Sequence, residues 1–230
     1  MSEQSRKLTK ATKVQECIRE DIIGGFYAPG DRLQMEALKE RYGVGYSPLR
    51  EALSRLVSMG LVEMEEQCGF SVAPQTLEEL HDLYNMRAYI EARALELSIR
   101  HGDDSWEADV VANWHCFSKY LDPKRNMNIV SNEWERLQKN FFYALVKGCQ
   151  SPWLLRIHNL LYDQASRYRN ICIAKYKNNE KSLHKYIKEM QQLVDAVLSR
   201  DVETTIRLSR INWDNTVKVI AKSLQARLKK

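Results

Sequence analysis

Residues Tyr42–Leu56, YGVGYSPLREALSRL, constrain this chain more than any other stretch. They read as a glycine turn followed by a helix with a sharp start. Gly43 and Gly45 punctuate the turn. Ser47 has an N-cap side chain, and Pro48 suits the first helical position, where its missing N–H costs nothing. Leu49, Leu53 and Leu56 recur at helical spacing beside Ala52, while Arg50, Ser54 and Arg55 face elsewhere. A preceding helix over Met35–Tyr42 is joined to this one by only a few residues. Two short helices across a tight glycine turn make a helix-turn-helix, whose second helix enters the DNA major groove by its N-terminus.

The flanks extend the unit. Residues 10–26 pattern as an amphipathic helix with Val14, Cys17, Ile18 and Ile22 on one face, and Phe26–Gly30 is a turn. Residues 61–66 (LVEMEE) and 70–73 (FSVA) read as two short strands around Gln67, Cys68 and Gly69. Three helices and a hairpin make a winged helix-turn-helix, expected over residues 1–75. Its DNA-facing residues are then Tyr46, Ser47, Arg50 and Arg55, with Gly69 in the wing. A small helical domain without DNA contact is the bland alternative.

Pro74-Gln75 reads as a hinge. Thr76 with Glu79 three residues on is a capping box, so a long helix starts there and runs to about Arg100. Its inward stripe is Leu80, Leu83/Tyr84, Arg87, Ile90/Glu91, Ala94 and Leu97. Further helices are expected near 103–121, 129–147, 152–176, 182–199 and 202–227, and no strand pattern follows residue 76. The fold class is therefore mainly α: a winged helix-turn-helix, then an antiparallel α-helical bundle over 76–230. Such bundles build ligand sites between facing helices.

Charge does not mark the DNA-binding half. Residues 1–75 hold 10 Lys/Arg against 11 Asp/Glu, although the chain as a whole is +5. Arg6, Lys7, Lys10 and Lys13 are either a phosphate-tracking cluster or a solvated tail. The five cysteines are scattered without CxxC spacing, which fits reduced, mostly buried thiols rather than a disulfide framework. No apolar run nears the ~18 residues of a membrane span, and the first residues lack a signal-peptide core, so the cytoplasm is the expected location. Nucleophile elbow, Gly-rich phosphate loop and HExxH are all missing, which argues against an enzyme.

Arg87 interrupts an apolar stripe, and a buried cation needs an anion or several acceptors. It is either paired with Glu91 one turn on or poised to grip a carboxylate in a bidentate fork. Arg169 shares a second stripe with Leu155, His158, Tyr162, Ala165 and Cys172, while Arg167 falls on the solvated side.

Three segments, "YAPGDRL", "RYGVGYSPLREALSRLVSMGLVE" and "GFSV", resemble the DNA-binding domain of the GntR family of bacterial transcription regulators. "LYNMRAYIEARALELSIR", "FFYALVKGCQSPWLL" and "DAVLSRDVE" resemble the helical effector domain of its FadR-like branch, the FCD subgroup. The look is closest to the carbon-starvation-induced repressor subgroup. The resemblance implies a homodimeric regulator, more often a repressor, on a pseudo-palindromic double-stranded operator, with a small-molecule effector in the helical domain. It also implies a divalent metal held by an Asp or His, a His one turn on, and two further histidines. Those positions are Gln138, Phe142, Met190 and Asn212 here. Phe142 has no donor atom and the others are weak, so the metal is expected to be lost and no cofactor is expected. Gln138 and Asn212 then keep a polar corner, and Arg87, Gln138, Arg169 and Asn212 are the candidate effector contacts, for an organic acid first and an apolar acyl ligand second. Alternatively, the pocket has collapsed and the domain is a dimerisation scaffold. The DNA face departs too: Glu36 and Tyr46 stand where relatives often carry Arg, and Cys68 precedes the wing glycine in place of a basic residue.

Overall fold

The computed structural model describes residues 9–65, 69–122, 131–177 and 179–228. The chain divides into two units, residues 1–75 and 76–230.

In the first unit α1 spans Lys10–Ile23, α2 Met35–Tyr42 and α3 Tyr46–Ser58. Thr9 caps α1 by accepting from the Thr12 backbone N–H at 3.1 Å. Helix α1 ends at Ile23 rather than residue 26, because Gly24 caps it and Gly25 turns left-handed at φ 79°. Its buried face is Ala11, Val14, Ile18 and Ile22; Cys17 is exposed, as is Cys116, so of the described cysteines only Cys149 is buried. Gly43 caps α2 at φ 64°, a left-handed conformation that glycine adopts without steric cost. Helix α3 begins earlier than its sequence suggests. Gly45 is the N-cap, and Ser47 lies inside the first turn with no capping bond from a side chain. Pro48 tolerates this because the first-turn N–H groups have no partner within the helix. Leu49, Ala52, Leu53 and Leu56 of α3 are fully buried with Ile18 of α1 and Leu38 of α2. Each of the leucines and the isoleucine contributes about 1.5–3 kcal/mol by leaving water.

Strands β1 (Val62–Glu65) and β2 (Gly69–Val72) pair antiparallel, with Val62 opposite Val72 and Glu65 opposite Gly69. Gly69 thus belongs to the strand rather than the turn. Leu33 donates its N–H to the Phe70 carbonyl at 2.8 Å, and Arg32 bridges Ser71, so the segment before α2 braces the wing.

The second unit contains α4 (Leu77–His101), α5 (Asp104–Leu121), α6 (Ser131–Lys147), α7 (Pro152–Gln164), α8 (Ser166–Lys177), α9 (Glu180–Leu198) and α10 (Val202–Leu228). Thr76 caps α4 through the Glu79 N–H, but the Glu79 carboxylate takes the Tyr168 hydroxyl at 2.6 Å and the Arg167 guanidinium. Arg167 is accordingly buried and paired, not solvated. The single helix expected over 152–176 is two helices, broken at Ala165. The break has a packing cause: α7 lies against α4, whereas α8 turns to α9 and α10.

Trp106 pins one end of this unit. Its Nε1 donates to the Ala144 carbonyl at 2.9 Å. The Arg200 guanidinium lies 5.1 Å from its ring and donates to the carbonyls of Ile99 and Gly102. A Cβ at Gly102 would stand 2.1 Å from a Trp106 ring carbon and 2.6 Å from the Ser98 carbonyl oxygen. Gly102→Ala is therefore expected to destabilise the helical unit by about 1–3 kcal/mol, the usual cost of overpacking, as read by a urea unfolding midpoint.

Candidate functional site

Two places carry candidate chemistry, one in each unit. In the first, Tyr46, Ser47 and Arg50 stand exposed on the first turns of α3. Arg50 lines a groove of about 600 Å³ between α3 and the wing, together with Arg32, Ser54, Met64 and Gly69. The structure thus brings Arg50 and Gly69 to one concavity. Arg55 points another way: it donates to Thr12 Oγ1 of α1 at 3.1 Å and pairs with Glu51. Its guanidinium ties α3 to α1. Arg32 was not singled out by sequence reasoning. The bridge to Ser71 that carries it to the groove joins residues far apart in the chain.

Tyr46 donates its hydroxyl to Glu36 Oε1, and the Lys39 ammonium lies 4.9 Å from the Tyr46 ring centre. The bond to Glu36 pushes the Tyr46 phenol above its ordinary range, so it stays protonated. The two positions that depart from the usual arginines are therefore partners of each other.

In the second unit the candidate residues converge from α4, α6 and α10. Arg87 is buried, and its guanidinium lies 4.1 Å from the Trp213 ring centre, 5.0 Å from Tyr84 and 5.1 Å from Tyr162. Three aromatic faces around one guanidinium make cation–π contacts worth more here than at the surface. Glu91, one turn on and also buried, accepts from Ser209 Oγ at 2.5 Å and Trp213 Nε1 at 2.9 Å. His158 Nε2 stands 3.6 Å from its other oxygen. Ser209 and Trp213 are four residues apart on α10, which puts both donors on one face.

A cavity of about 30 Å³ opens beside this centre, with Arg87, Gln138 and Asn212 in its wall. Its other wall is aromatic: Trp134 stacks on Tyr176 at 5.7 Å and 7°, and Tyr186 sits 6.0 Å from Trp134. Gln138 donates to the Tyr186 hydroxyl at 3.1 Å and accepts from the Tyr162 hydroxyl at 3.3 Å. The cavity holds three of the four residues singled out for an effector; the Arg169 side chain lies outside the described residues.

The donor set does not fit a divalent metal. Phe142 is fully buried with its ring 5.1 Å from Trp213, Met190 is buried in the same core, and Gln138 is occupied by two tyrosines. Zinc, nickel and manganese are held chiefly by carboxylate and imidazole donors, and a phenyl ring offers none. Among the described residues, no three His, Cys, Asp or Glu side chains gather.

The comparisons show the family of the chain. Residues 10–72 match the family described as bacterial regulatory proteins, gntR family, and residues 82–213 match the FCD domain. An uncharacterized HTH-type transcriptional regulator of Paraburkholderia xenovorans, BphR, is 37% identical over 94% of this chain and 86% of its own length. The HTH-type transcriptional repressor GlaR of Escherichia coli is 36% identical over 90% of this chain and 94% of its own. Among solved structures, E. coli McbR/YncC superposes with a TM-score of 0.73 at 18% identity, covering 95% of this chain and all of that one, which speaks to fold alone.

Arg50 faces the groove from α3, the helix expected to meet DNA, where a bidentate base contact carries ~1–3 kcal/mol of discrimination. Arg50→Ala is expected to weaken operator binding about tenfold or more while leaving the melting temperature unchanged, as measured by gel-shift titration beside a thermal melt. Unaltered affinity would remove Arg50 from base readout.

Proposed function

We propose, from the premise that this chain belongs to the gntR family of bacterial regulatory proteins and carries an FCD domain, that it is a homodimeric cytoplasmic repressor whose helical unit binds a small organic acid. That the chain is a transcriptional regulator rather than an enzyme follows from the family itself. Among the described residues, no helix is long and apolar enough to cross a membrane.

The observation that carries the effector reading is the convergence of Arg87, Gln138 and Asn212 on one cavity. A guanidinium among aromatic rings still offers a fork of N–H donors that matches a carboxylate. Asn212 supplies an amide group for the remaining oxygens, and Gln138 does so by exchanging one of its tyrosine partners. The volume bears on the competing reading. About 30 Å³ is one water's share of the liquid, so an acid enters only if the wall side chains give way. A helical unit that never opens would be a dimerisation scaffold.

The dimer reading rests on symmetry and on an exposed stripe. A pseudo-palindromic operator calls for two recognition helices related by a two-fold. Trp153, Ile157 and Leu160 of α7 stand exposed at helical spacing, an apolar surface that a second copy would cover. Effector control of such a dimer is only as large as the effector's differential affinity for its two states.

A thermal-shift screen of dicarboxylates, hydroxy acids and acyl compounds tests the effector. At 100 times its dissociation constant a true ligand stabilises the fold by ~2.7 kcal/mol. The shift is expected for a carboxylate and is expected to vanish in Arg87→Ala. Silence across the screen favours the scaffold, and a shift from acyl compounds alone favours an apolar ligand.

We also infer that the chain works without the divalent metal, since Phe142 replaces a donor by a buried ring. Elemental analysis of the purified protein is expected to find well under one zinc, nickel or manganese per chain. A stoichiometric metal would mean that other residues have taken over its coordination.

A further inference from the structure

The recognition helix opens on Tyr46, and the phenol proton is committed before DNA arrives. The hydroxyl donates to Glu36 on α2. Lys39 sits 3.8 Å from Glu36 and covers the Tyr46 ring, so the carboxylate is partly balanced and the ring is held. Tyr46 is nonetheless 42% exposed, on the helix end that enters the groove.

A tyrosine hydroxyl has one proton to give and lone pairs to accept with, and an ionised carboxylate only accepts. With its proton directed to Glu36, Tyr46 shows the groove an acceptor. The groove edges of the four bases differ in this respect. Adenine N6 and cytosine N4 are donors, whereas guanine N7 and O6 and thymine O4 are acceptors. A phosphate oxygen is an acceptor as well, and it would also meet the Glu36 charge at short range.

We propose that Tyr46 reads an exocyclic amino group, adenine N6 or cytosine N4, at one position of each operator half-site, and that Glu36 is the positioning residue that fixes the polarity of this contact. The inference rests on the DNA reading above. Arg50 lies four residues on and therefore on the same helix face, so the two side chains address neighbouring base pairs. Arg50 suits guanine and Tyr46 suits an amino-bearing base. An acidic residue beside the recognition helix, unfavourable for bulk phosphate attraction, thereby gains a role in specificity.

The test is selection of binding sites from randomised duplex DNA by the full chain, its Tyr46→Phe variant and its Glu36→Ala variant. Both side chains are exposed, so the fold is kept. Wild type is expected to enrich adenine or cytosine about three- to tenfold over guanine or thymine at one position per half-site, the worth of one hydrogen bond. Tyr46→Phe is expected to flatten that position and leave the guanine read by Arg50. Glu36→Ala frees the hydroxyl to donate, so guanine and thymine rise at the same position. Base preferences unchanged in Tyr46→Phe overturn the inference. So does a uniform loss of affinity in that variant with a salt slope shallower by about one, which marks a phosphate contact. A wild-type chain that enriches no sequence overturns the DNA reading and this inference together.

Discussion

A guanidinium and a carboxylate, Arg87 and Glu91, are both buried one turn apart on α4, and the packing of the helical unit follows from satisfying them. Burying either charge without partners costs several kcal/mol, more than a typical core side chain returns. The unit meets this with α10, which lays Ser209 and Trp213 along the Glu91 carboxylate, and with Tyr84, Tyr162 and Trp213 around Arg87. Trp213 serves both charges at once, donating to the acid through its edge and facing the cation with its ring. That double use fixes the register of α10 against α4. It also bears on where the cavity lies, since two of the aromatic side chains that shelter Arg87, Tyr84 and Trp213, border it directly.

The first unit obeys a different constraint. It carries no excess of positive charge to draw it to nucleic acid, so on the proposed reading its interaction depends on which few side chains stand on α3. Several charged residues are consumed in holding the helices together. Asp21 of α1 accepts from Arg41 at 2.9 Å and from the Tyr42 hydroxyl at 2.6 Å, and Arg55 reaches back to Thr12. The exposed start of α3 still presents Ser47, Arg50 and Tyr46, the last paired with Glu36 of α2. A near-neutral domain of this kind gains little from diffuse attraction, which places the weight of recognition on directional hydrogen bonds.

Much of this was legible in the chain as written. Leucines spaced by three and four over 49–56 and glycines at 43 and 45 are local signals, and local signals determine that a helix-turn-helix forms. The apolar stripe of α4, interrupted by Arg87, likewise declared a buried cation before any partner was visible. That a phenyl ring at Phe142 offers a metal no donor atom is likewise a property of the residue itself.

What only the tertiary structure decided are the pairings between residues distant in sequence. Helical periodicity runs without interruption through Ala165, and the break there follows from α7 and α8 serving different neighbours. Arg167 reads as solvated from its own helix but is claimed by Glu79, and Arg55 reads as free for DNA but is claimed by α1. Glu36 and Tyr46 are separate departures on the page of the sequence and a single hydrogen-bonded pair in space. The physical reason is common to the three polar pairings. Propensity and periodicity act over a few residues, whereas the cost of an unpaired polar group is settled by whichever partner the folded chain brings within about 3 Å.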